Sequence, residues 1–132
     1  MIKKTSLSQK RIVVMMFRKF SMLVPETNAV LEKFPERKQV LLVGMETQVC
    51  ILQTCLDLIE KNYDVYLLVD GITSIRSWER KVALKRLEKE GAILTTYESA
   101  VFDLLKDSKD EKFKEILAIL KQTKRENAIN HL

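Results

Sequence analysis

Short apolar runs and longer segments of helical spacing take turns along this chain. Arg11 to Phe17 (RIVVMMF), Val40 to Val43, Asp64 to Val69 (DVYLLV) and Ala92 to Thr96 are continuous, β-branched-rich runs of the kind that form strands buried on both faces. Between them the period changes. Pro25 to Phe34 puts Leu31 and Phe34 on one face behind a proline suited to a first helical turn. Thr47 to Lys61 carries Ile51, Leu52, Cys55, Leu58 and Ile59 at i, i+1, i+4, i+7 and i+8, with Asn62 as the stop. Ser77 to Glu90 is expected to turn Trp78, Val82, Ala83 and Leu87 inward and to end at Gly91. Glu98 to Leu105 and Glu111 to Gln122 are the closing helices, the second burying Phe113, Ile116, Leu117 and Leu120.

Strands that alternate with helices predict parallel β-α-β units with right-handed crossovers. The expected fold is therefore α/β, a Rossmann-like three-layer α/β/α sandwich around a parallel sheet. A length of 132 residues allows one domain with its own core. The chain divides into a basic leader or divergent strand (1–19), the domain itself (20–122) and a polar tail (123–132).

Composition changes this picture little, with 46% hydrophobic and 31% charged residues. The net charge of +5 is a matter of position: six of the 23 Lys and Arg residues, and none of the 18 Asp and Glu residues, lie in residues 1–25. The remainder is nearly neutral and holds no basic stripe for a phosphate backbone, so nucleic acid is not the expected partner. No apolar run reaches the length of a membrane span. Cys50 and Cys55 are five residues apart in one helix, turned to largely opposite sides, which rules out a disulfide between them and points to a reducing compartment. Cytoplasmic residence is expected, with mitochondrial targeting as the alternative reading of the acid-free leader. The only histidine is His131, so no metal site and no cofactor are expected.

The segment Gln39 to Cys50 (QVLLVGMETQVC) holds the candidate chemistry. An apolar strand exits through Gly44 and reaches Cys50 as the next helix opens. Ligand sites in open α/β sheets form at this carboxyl edge, and a helix amino terminus favours a thiolate. Cys50 is a candidate nucleophile; a buried cysteine serving as a small hydrophobe is the plain alternative.

Phe20-Ser21-Met22, then Gly44-Met45-Glu46-Thr47-Gln48-Val49-Cys50-Ile51, then Val69-Asp70-Gly71-Ile72-Thr73-Ser74 together resemble the isochorismatase-like cysteine hydrolase family, in its isochorismatase domain-containing branch. The resemblance runs from about Phe20 to near Gln122. It implies hydrolysis of a C–N or ether-type bond in a small molecule, with Cys50 as nucleophile. It also implies a non-proline cis peptide between Met45 and Glu46, aiming the amides of Glu46 and Cys50 at one oxyanion. Phe20, Gln48 and Asp70 would line the pocket.

Two further parts that the resemblance implies are not matched. The family's proton-shuttling aspartate ends a strand several dozen residues ahead of the Phe-Ser-Met block, whereas only 19 residues precede Phe20 and every aspartate, from Asp57 on, follows Cys50. On this reading the first β-α unit is missing and the chain is amino-terminally shortened. The family's lysine stands three residues before that Phe, where this chain has Phe17; Lys19 is the surrogate. Impaired turnover is therefore expected, the alternative being a non-catalytic interaction protein or shortened isoform. Self-association through an uncovered sheet edge is expected as well.

Other residues keep two readings. Glu46, Thr47 and Gln48 would otherwise be a polar loop capping a helix, and Asp70 a turn residue before Gly71. Arg76 and Arg80 would meet an anionic substrate or lie solvated at a helix start. Trp78 fits the core or a subunit interface.

Overall fold

The structure is a computed structural model and describes residues 19–126. Among the described residues nine elements follow one another: α1 (Pro25–Leu31), β1 (Gln39–Gly44), a π-helical turn (Thr47–Ile51), α2 (Leu52–Glu60), β2 (Asp64–Ile72), α3 (Ser77–Lys89), β3 (Ile93–Thr95), α4 (Tyr97–Leu105) and α5 (Phe113–Glu126). The strands pair in parallel in the order β1-β2-β3, as the alternation of runs predicts. The strand expected near residues 12–17 and the Phe17 position lie outside the described residues.

Side chains of β2 leave it on alternate faces, and each face meets its own helices. Val65, Leu67 and Val69 join Ile51 of the π turn, Cys55 and Leu58 of α2 and Leu84 and Leu87 of α3 in the main core. Tyr66, with Leu68, packs on the opposite face against Ala100 and Leu104 of α4. This is the three-layer arrangement, with β2 as its centre. Asn62 ends the α2 segment with φ +61°, and Gly91 follows α3 with φ +104°, a conformation that suits a residue without a Cβ.

Four details differ from the sequence expectation. The helix expected at Thr47 begins as a wide π turn and becomes α-helical only at Leu52. On α3 the buried stripe is Ala83, Leu84 and Leu87, while Trp78 and Val82 are 61% and 66% exposed. At about 100° per residue these two stand roughly 180° and 140° from Leu87, so one face cannot hold all of them. β3 is shorter than 92–96, and α5 continues to Glu126, into the residues expected to be a polar tail.

On β1, Leu41 is paired with Tyr66 yet stays 42% exposed, and Val43 beyond it is 52% exposed. Among the described residues nothing covers this side of β1 as α4 covers β2.

Cys55 is fully buried, and burial pushes its thiol up to about 11 from an ordinary 9.0. Because the unfolded chain ionises this thiol first, stability from the buried neutral form is complete below pH 9 and is lost as pH rises toward 11. Wild type should lose about 1 kcal/mol more than Cys55→Ala when urea unfolding is compared at pH 8 and pH 10.

Candidate active site

β1 delivers the chain to the carboxyl edge of the sheet through Gly44, whose φ of +130° is one that other residues rarely adopt. The next peptide bond, Met45–Glu46, is cis. Glu46 returns to extended backbone, φ −84° and ψ 141°, and its carbonyl accepts from Val49 N–H at 3.1 Å and Ile51 N–H at 3.3 Å. The second of these is the first i→i−5 bond of the π turn. Cys50 precedes it, so its N–H belongs to the group of helix-start donors that this pattern does not take up.

Thr47 anchors the turn. It is fully buried; its N–H donates to Thr73 C=O at 3.1 Å and to Ser74 Oγ at 3.2 Å, and its hydroxyl donates to Thr73 C=O at 2.9 Å. Thr73 N–H in turn donates to Gly44 C=O at 3.0 Å. The loop after β2 is thus sewn to the loop after β1. Cys50 is half-buried, between the buried anchors Thr47 and Ile51.

Glu46 and Gln48 are tied to that same loop. The Glu46 carboxylate accepts from Ile75 N–H at 3.1 Å and from Gln48 Nε2 at 3.0 Å, while Ser74 Oγ donates to Gln48 Oε1 at 2.8 Å. Both ends of the Gln48 amide are occupied by protein groups. The Asp70 carboxylate accepts Tyr97 N–H at 2.9 and 3.0 Å and so caps the start of α4, where Thr96 Oγ1 also accepts from Ser99 N–H. Arg80 donates to the carbonyls of Ile72 and Val69, at the end of β2 where the register with β1 slips between Leu42 and Gly44. Arg76 lies 6.0 Å from the Trp78 ring centroid.

The Phe20-Ser21-Met22 block is seated along α2. Ser21 Oγ donates to Asp57 Oδ2 at 2.5 Å, and Met22 N–H donates to Thr54 Oγ1 at 2.9 Å. Phe20 itself is 58% exposed, and Lys19 forms no ion pair with a described residue. Thr47, Thr54, Asp57, Ser74 and Arg80 carry most of these contacts. Thr47, Ser74 and Arg80 stood out in the sequence, though not for these partners; Thr54 and Asp57 did not, because partners 32 and 36 residues apart leave no local pattern. No group of three or more His, Cys, Asp or Glu side chains among the described residues is placed to hold a metal.

A thiol at the carboxyl edge of a parallel strand and at the opening of a helix defines an α/β sandwich of the cysteine-at-strand-exit type. Residues 6–99 match the isochorismatase domain, and the chain belongs to that family. The match starts ahead of Phe20 and ends inside α4. The secreted isochorismatase effector Isc1 of Phytophthora sojae is 49% identical over 105 residues, which are 79% of this chain and 50% of that protein. Isochorismatase domain-containing protein 2 of Xenopus laevis is 44% identical over 101 residues, 76% of this chain and 49% of the relative. Among solved structures, the MAR1 ribonuclease of Caenorhabditis elegans superposes with a TM-score of 0.70 at 42% identity, covering 76% of this chain and 50% of that one. The chain spans about half the length of the relatives it matches.

Proposed function

We propose that this chain carries the nucleophile half of a small-molecule cysteine hydrolase, with Cys50 attacking a C–N or ether-type bond and with turnover by these 132 residues impaired. The observation that carries the reading is the placement of Cys50, half-buried in the turn that opens behind the cis peptide at the sheet's carboxyl edge. In such a reaction the thiolate forms a covalent bond to the electrophilic carbon, the leaving group departs with a proton, and water then releases the product and regenerates the thiol. The amides of Glu46 and Cys50 are the donors for the oxyanion.

Impairment follows from the proton-shuttling aspartate, for which this sequence has no match ahead of Cys50. All six aspartates follow Cys50 in the sequence, and two of them are engaged elsewhere: Asp57 with Ser21 and Asp70 with Tyr97. General acid-base help is typically worth about 10² to 10⁴ in rate. Although one structural relative bears the name ribonuclease, the even balance of charge after residue 25, 17 basic against 18 acidic, favours a small substrate over a polyanion. The free thiols favour a reducing compartment, the cytoplasm. The exposed side of β1 favours association with a second copy.

The test is turnover of amide and vinyl-ether substrates by the full chain and by Cys50→Ala. Negligible turnover that Cys50→Ala leaves unchanged is expected. Robust hydrolysis abolished by Cys50→Ala would overturn the impairment and call for a surrogate base such as Lys19. Robust hydrolysis that survives Cys50→Ala would overturn the nucleophile.

A further inference from the structure

The loop after β2 reaches the nucleophile turn through side chains as well as backbone. Ser74 Oγ accepts from Thr47 N–H and donates to Gln48 Oε1; Gln48 Nε2 donates to the Glu46 carboxylate; that carboxylate closes the circuit by accepting Ile75 N–H. Every member either belongs to the segment 46–48 that opens the π turn or to the segment 74–75 that faces it. Glu46 is the pivot, since its carbonyl also receives the N–H groups of Val49 and Ile51 on either side of Cys50. Gln48 uses one donor and one acceptor of its amide inside the ring, which fixes the orientation of that side chain.

We propose that Ser74, Gln48 and Glu46 form a latch that positions the Cys50 turn, acting on the thiol through backbone rather than by touching substrate. The inference rests on the reading of Cys50 as nucleophile. With the ring closed, the backbone carbonyl of Glu46 is held in one orientation, and so are the N–H groups of Val49 and Ile51 that flank Cys50. With it open, those groups average over more orientations, and the thiol is held less firmly in one reactive position. Ser74 and Gln48 are thus positioning residues.

Loss of Ser74 is mild for the fold, because Thr47 N–H keeps Thr73 C=O and the Thr47 hydroxyl keeps the same acceptor. The experiment measures the rate of iodoacetamide labelling at Cys50, peptide by peptide, in the full chain and in Ser74→Ala, Gln48→Met, their double variant and Ser74→Thr. Fully buried Cys55 reports unfolding in the same samples. Each single variant should slow Cys50 by about two- to fivefold, the size of a helix-end contribution, with Cys55 still protected. The double variant should be no slower than the slower single one, since both cut one circuit. Ser74→Thr, which keeps the hydroxyl, should recover most of the rate.

Unchanged Cys50 labelling in both single variants, or simple multiplication of their effects in the double, would overturn the latch while leaving the nucleophile reading intact. Wild-type Cys50 labelling no faster than Cys55 would overturn the nucleophile reading and the latch with it. If Ser74→Ala unfolds, as rising Cys55 labelling would show, Gln48→Met decides the matter by the same criterion.

Discussion

Iodoacetamide should label Cys50 faster than Cys55 by about two orders of magnitude or more in the folded protein at pH 7.5. Only the thiolate reacts, and its fraction falls tenfold for each unit by which a thiol's pKa lies above the solution pH. With its thiol pushed up to about 11, Cys55 holds a thiolate fraction near 10⁻³ to 10⁻⁴ at that pH, before any steric protection is counted. Cys55 is also fully buried among the main-core residues, whereas Cys50 is half-buried. The two sulfurs lie five positions apart on one helical segment, so a single digest reports both. Equal labelling, or faster labelling of Cys55 in the native protein, would mean that the helix is rotated from the position described.

Leu67→Ala should cost about 2–5 kcal/mol in urea unfolding, a large share of the 5–15 kcal/mol typical of a domain. Leu67 is fully buried in the central strand, with a parallel neighbour on each side: Leu42 on β1 and Leu94 on β3. Its side chain belongs to the core shared with α2 and α3, so truncation leaves a cavity that three elements would have to move to fill. Leu41→Ala offers the contrast. One strand away and 42% exposed, it should cost under about 1 kcal/mol. A cost below 1 kcal/mol for Leu67→Ala as well would place the core elsewhere.

Much of the fold was legible because β2 is a buried central strand: when both faces are covered, the whole run is apolar, and DVYLLV stands out without any alignment. The sequence reading failed on α3, and the reason is specific. Trp78 and Val82 put apolar side chains on the outward side, so apolar content alone did not single out the inward stripe of Ala83, Leu84 and Leu87. In the site, Cys50 was visible through its place after an apolar run and a glycine. The cis bond at Met45–Glu46 was expected only by resemblance, as no periodicity encodes it. The ring through Ser74 and the seating of Ser21 on Asp57 were invisible, since each joins segments distant in sequence whose residue types are common in loops.

The carboxylate of Asp70 has a consequence for how the molecule comes apart. It joins the end of β2 to the first N–H of α4, residues 27 apart, and everything between them, α3 and β3, is strung across that bond. β3 holds the sheet by only three paired positions, Tyr66 with Ile93, Leu67 with Leu94 and Leu68 with Thr95. Thr95 is two residues from Tyr97. Peeling β3 from the edge therefore pulls on the Asp70 clasp and frays the first turn of α4, so amide hydrogens of β3 and of early α4 should exchange as one cooperative unit rather than in sequence.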